Sequence, residues 1–142
     1  MGRPVYNPGR NLPGSARPQR TTARGVGELE PVAYARKAVA VASDKQASDI
    51  LLLDIRKVGT FADFFVIMTA ETQRHMESLS HDLVDVLTTS GASLHHQEGT
   101  AAGGWLLLDF GDVIVHLFAP GAREYYQLEG RWSKAKQVVR IQ

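Results

Sequence analysis

The chain has 142 residues, of which 44% are hydrophobic and 22% charged, with a net charge of +1 and no cysteine. That is one domain's worth of an ordinary globular composition, and it excludes disulfide staples and thiolate chemistry. There is no run of about 18 apolar residues to span a membrane, and no basic start with an apolar stretch behind it to direct secretion.

The small net charge hides an asymmetry. Residues 1–30 carry Arg3, Arg10, Arg17, Arg20 and Arg24 against Glu28 and Glu30, whereas residues 31–142 hold eleven Lys or Arg against thirteen Asp or Glu. A slightly acidic body is a poor sequence-independent RNA binder, because phosphates must be neutralised. Direct RNA contact is therefore expected to be minor, and to come from the tail or from local patches.

Residues 1–30, rich in Arg, Pro and Gly, have too few large apolar side chains to offset their ordering entropy and are expected to be disordered. An organelle presequence or an RNA-touching arm would also suit a stretch without acids before Glu28. Pro4, Pro8, Pro13 and Pro18 break an amphipathic presequence helix, which favours a plain tail.

From Pro31 the pattern becomes helical, with Val32, Ala35, Val39 and Ala42 at spacings of three and four. Pro31 suits a first turn, where its missing N–H costs nothing. Ile50–Ile55 and Asp63–Thr69 are short apolar runs of the kind buried on both faces of a sheet, joined through a bend at Gly59. Residues 72–90 give the clearest helix: Met76, Leu79, Leu83, Val86 and Leu87 form a stripe, Thr72 caps the start and Gly91 ends it. "SLHHQ" suggests a third strand and Glu98–Gly104 a flexible loop. Trp105–Pro120, "WLLLDFGDVIVHLFAP", is a hairpin that Pro120 stops. Arg123–Trp132 predicts a short last helix, and residues 133–142 a loosely attached basic tail. The sum is an α/β sandwich on a mixed sheet of about five strands, its body spanning residues 31–132.

The hairpin carries the functional question. Gly111-Asp112 is the natural two-residue turn, with Gly first, and pairs Phe110 with Val113. One face then holds Leu106, Leu108, Phe110, Val113, Val115 and Leu117, which is core. The other holds Trp105, Leu107, Asp109, Ile114, His116 and Phe118, with the acid and the imidazole roughly 5.5–8 Å apart on a diagonal. A buried face rarely spends a carboxylate, and a solvated one rarely spends Trp, Leu, Ile and Phe together. Periodicity leaves two readings open. In one the face is a partner-binding patch with aromatic anchors; in the other a helix covers it and Asp109 bonds His116 or a helix N-terminus.

Catalytic readings find little support. Asp109 and Asp112 lie three apart across a turn, not at the i,i+2 spacing that points two carboxylates one way. "DFG" occurs without the other protein-kinase motifs. A zinc site from His95, Glu98 and His116 has no supporting spacing, "AAGG" lacks the Lys-Ser/Thr of a phosphate cradle, and no serine sits in a nucleophile elbow. No metal or cofactor is expected.

The order "DFFVIMTAETQRHMESLS", "EG", "GWLLLDFGDVIVHLFAP", "REYYQLEGRW" resembles the ribosomal silencing factor (RsfS or Iojap) family, from about Val32 to Trp132. The resemblance implies a nucleotidyltransferase-like topology without the catalytic carboxylates, with Ala70-Glu71-Thr72 where such enzymes carry Gly-Ser. It implies a binding protein that docks on the fourteenth protein of the large ribosomal subunit, keeps the small subunit from joining, and represses translation under nutrient limitation. Trp105, Leu106, Leu107, Asp109 and Phe110 fall in the signature run and become the expected partner-binding residues, Trp105 as anchor and Asp109 as charge partner. His116, Arg123, Tyr126 and Trp132 are expected in supporting or secondary roles. Family members can dimerise, and the apolar hairpin face could serve that role in the free protein. The compact body leans towards a bacterial cytoplasm, with mitochondrial and plastid relatives known. Two departures stand out, Ala70 for a glycine after the second strand and Gly130 in the last helix. The competing expectations are a nucleotidyltransferase-like enzyme and an RNA-binding assembly factor that uses the tail and Lys134–Arg140.

Overall fold

The computed structural model describes residues 29–142. Of the segment expected to be disordered, residues 1–30, all but the last two lie outside the described residues. At their border Leu29 already packs against the core, its amide donating to the Tyr34 hydroxyl at 3.0 Å.

Ten elements follow in chain order: α1 (Pro31–Asp44), β1 (Ser48–Asp54), β2 (Phe64–Thr69), α2 (Gln73–Thr89), β3 (His96–Thr100), β4 (Trp105–Asp109), β5 (Val113–Phe118), α3 (Pro120–Tyr126), α4 (Leu128–Arg131) and β6 (Lys136–Ile141). The strands form one mixed sheet in the order β3-β4-β5-β2-β1-β6. Among the described residues only β2 and β5 run parallel. That pairing requires a crossover, which α2 supplies.

The apolar runs sit where their composition demands. All six residues of β2 are buried, between β5 and β1. On one side α1 and α2 lay Tyr34, Ala35, Ala38, Met76, Leu79 and Leu83 onto Ile50, Leu52, Val66, Leu106, Leu108, Val113 and Leu117. Small alanines on α1 let its backbone approach the sheet. Thr72 caps α2 as its side chain predicts, its hydroxyl accepting from the His75 amide at 2.9 Å. Gly91, at φ 116°, ends that helix in a backbone conformation other residues rarely adopt. The hairpin register is the expected one, with the Phe110 amide donating to the Val113 carbonyl at 2.9 Å.

Three expectations need correction. The tail expected at 133–142 is instead strand β6, paired antiparallel to β1 from Asp54↔Lys136 to Ile50↔Ile141, so the sheet has six strands. Its polar composition is that of an edge, exposed on its outer side. The third strand lies three residues later than "SLHHQ", because Gly99 and Thr100 continue the pairing to Leu106 and Trp105. The last helix is two: Pro120 starts α3 rather than merely stopping the hairpin, and Gln127, at φ 48°, breaks the chain before α4.

Candidate functional site

The second face of the hairpin is covered. Trp105, Leu107, Ile114 and Phe118 form a cluster with Leu51, Leu53, Ile55, Ala62, Phe65, Ile67 and Leu128, roofed by Phe61, Ala122, Tyr126, Trp132 and Ala135. Apart from Phe61, from the β1–β2 connection, the roof is α3, α4 and the residues after them. Of the expected partner-binding residues, Trp105, Leu106, Leu107 and Phe110 are 5%, 4%, 2% and 8% exposed. None of the four reaches the surface of the folded chain as an anchor. The physical reason is the C-terminal lid, whose helix the sequence showed but whose resting place it did not.

Trp105 is the floor of the lid. Its ring lies 4.5 Å from that of Tyr126 and 5.0 Å, stacked, from that of Phe118. Its indole N–H donates to His116 Nδ1 at 3.2 Å, which fixes the neutral imidazole with its proton on Nε2. Burial holds the His116 pKa far down, at about 3. The Phe65 ring stands edge-on to the imidazole at 4.8 Å. His116 thus supports the sheet and Trp105, not Asp109. Asp109 is half-buried, and its Oδ1 accepts from the Gly111 amide of its own turn at 2.7 Å. The expected bond to His116 or to a helix N-terminus is replaced by this local one, which shapes the turn.

Arg123 fastens the lid to the sheet. Its side chain is buried, with Nε donating to Glu129 Oε2 at 3.1 Å and Nη1 to Thr69 Oγ1 at 2.9 Å and to the Asp49 carbonyl. Asp49 stands at φ 49°, within a register irregularity between Ser48 and Leu51. Such a bulge turns a carbonyl and a carboxylate out of the ladder. The carboxylate lies 3.7 Å from Arg123 Nη2 and 2.9 Å from Arg140 Nη2. One guanidinium therefore ties α3 to α4, β1 and β2, with β6 linked through Asp49. The sequence marked Arg123 by resemblance alone; nothing local announced that Asp49 and Thr69 would meet it.

Beside this knot lies a cleft of about 640 Å³, lined by Ser48, Asp49, Thr69, Glu71, Pro120, Arg123, Glu124, Gln127, Glu129 and Gly130. Four carboxylates face it against one arginine, which makes it acidic. It opens at the carboxyl ends of the parallel strands β2 and β5, where open α/β sheets commonly present their binding surfaces. On the adjoining lid Glu124 is exposed and Tyr125 is 65% exposed. Among the described residues no group of three or more His, Asp or Glu could hold a metal ion, and no helix is long and apolar enough to cross a membrane.

The fold defines a mixed α/β sandwich whose C-terminal lid and acidic cleft occupy one end of the sheet. It resembles a solved Chromobacterium violaceum protein with a TM-score of 0.71 at 28% identity, over 74% of this chain and 88% of that one. A family model described as "Ribosomal silencing factor during starvation" matches residues 28–142. The ribosomal silencing factor RsfS of Halalkalibacterium halodurans is 34% identical over 101 residues, 71% of this chain and 86% of that protein. The chloroplastic Iojap protein of Arabidopsis thaliana is 32% identical over 111 residues, 78% of this chain and 46% of that protein. The chain belongs to the ribosomal silencing factor family.

Proposed function

We propose that this chain binds the large ribosomal subunit through its fourteenth protein and stands in the way of the small subunit, repressing translation when nutrients are short. It acts by occupancy, as a binding protein, in a bacterial cytoplasm. The observation that carries this reading is the lid. It presents an exposed aromatic, Tyr125, next to Glu124 and a cleft with Asp49, Glu71 and Glu129. An aromatic beside acids complements the basic surface of a ribosomal protein. Trp105, Leu107 and His116 serve from below by setting the height of Tyr126 and the lid, and Leu106 and Phe110 hold the strand to the helices. Asp109 keeps the turn in register. Arg123 and Trp132 keep the lid seated.

Gradient sedimentation with separated subunits tests this. Wild type is expected to travel with the large subunit and to lower the yield of joined ribosomes. The Glu124→Lys/Tyr125→Ala variant should lose both effects while melting at the same temperature. Wild type that stays at the top of the gradient, or a surface variant that still blocks joining, would overturn the reading.

A further inference from the structure

The opposite end of β1 carries the reverse charge. Pairing of Asp54 with Lys136 brings the start of β6 beside the connection that follows β1. Trp132 closes the same corner from the lid side: its ring lies 5.5 Å from that of Phe61, and a Cβ placed on Gly59 would come within 3.3 Å of it. Arg56 and Lys57, 74 or more positions from the segment they meet, thereby join Arg131, Lys134 and Lys136. All five are exposed.

Of the carboxylates near this corner, Asp63 is buried and Asp54 is already engaged by Arg56 at 2.7 Å. Among the described residues Lys57, Arg131, Lys134 and Lys136 form no ion pair. At the far end of β6, by contrast, Arg140 is neutralised by Asp49. Three cations without an acid partner, and Lys136 sharing Asp54 with Arg56, thus gather at one corner of a body in which acids outnumber bases.

We infer that this corner binds the phosphate backbone of large-subunit RNA next to the protein's docking site. The inference rests on the proposed ribosome docking and extends it from a protein contact to a protein–RNA one. Lys57 and Lys134 stand on turns, Lys136 on a sheet edge and Arg131 at the end of the four-residue helix α4, so no long amphipathic helix presents them, which fits a ridge of phosphates better than a lipid surface. The acidic cleft and the basic corner would then divide the work, one meeting basic protein and the other RNA.

The test is the salt dependence of binding to purified large subunits, with fluorescently labelled full-length protein between 50 and 200 mM KCl at fixed magnesium. Four phosphate contacts correspond to a log–log slope near −3.6, so removing three should make the measured slope shallower by roughly 2 to 3. Lys57→Gln/Lys134→Gln/Lys136→Gln should show this change at an unaltered melting temperature. The control Arg36→Gln/Arg74→Gln, on the helices, should match wild type. Equal slopes for the corner variant and wild type would overturn the inference while leaving the docking reading intact. Wild type that fails to bind subunits at any salt would sink the docking reading. The corner would then stand or fall on whether naked large-subunit RNA is bound by wild type and released by the corner variant. Vesicles of phosphatidylserine and phosphatidylcholine form the last arm. Corner-dependent binding to them, with no corner effect on subunits, would refute the RNA assignment.

Discussion

His116 links stability to pH in a way that can be calculated. It is fully buried against Phe65, Phe118 and Trp105, and its pKa is pushed down from 6.5 to about 3. In the unfolded chain an ordinary imidazole takes up a proton as pH falls below about 6.5, whereas the native one does not. The unfolded state then binds more protons, so native stability falls with pH, by about 1.4 kcal/mol per unit, until the native pKa is reached. Between pH 7.5 and 5.0 the loss works out at about 2 kcal/mol. Asp54, whose carboxyl is held below its usual value chiefly by the Arg56 hydrogen bond, begins to matter only lower, as pH approaches 4. Urea unfolding at closely spaced pH values, followed by tryptophan fluorescence, reads the slope. His116→Gln keeps an acceptor for the Trp105 indole and removes the titration. Whatever it costs at neutral pH, its stability should be flatter over this interval by about 2 kcal/mol. Identical slopes for variant and wild type would show that His116 is not the group responsible.

Gly99 sits at φ 80°, and a Cβ there would lie 2.1 Å from the Trp105 carbonyl oxygen. Gly99→Ala should therefore detach β3 and destabilise the fold by about 2 kcal/mol or more, lowering Tm by thermal melting. Arg123→Met removes the bonds to Glu129, Thr69 and the Asp49 carbonyl. It should cost about 2–4 kcal/mol and speed amide exchange in α3 and α4 before the rest of the sheet, since one partner of a buried ion pair is lost. Trp105→Ala empties the floor of the lid, with an expected loss of about 3–5 kcal/mol by denaturant unfolding. Its effect on ribosome binding should be reproduced by variants that free the lid without touching β4.

What could be read in advance followed from strong local signals. Gly111-Asp112 fixed which side chains of the hairpin share a face, and a period of two did the rest. The runs in β1 and β2 are too apolar to lie anywhere but the middle of the sheet, and Thr72 and Gly91 bracket α2. Strand β6 was missed because Lys136, Gln137 and Arg140 give an edge strand the composition of a tail, and its partner lies far back in the chain. The break at Gln127 was missed because a left-handed glutamine has no sequence mark, unlike Gly130, which drew attention without ending the helix. At the site, the mixed character of the Trp105 face was legible. Its covering was not, since that depends on Arg123 finding Asp49 and Thr69 across three elements.

The late arrival of β6 has a consequence for biosynthesis. Asp49 and Arg140, joined in the native sheet, are 91 residues apart along the chain. Until β6 has been made, β1 has no outer neighbour, and the link from Arg140 to Asp49 beside the lid's fastening is unmade. Contacts so distant in sequence close last. The lid's fastening thus gains its tie to β6 only once that strand has paired with β1.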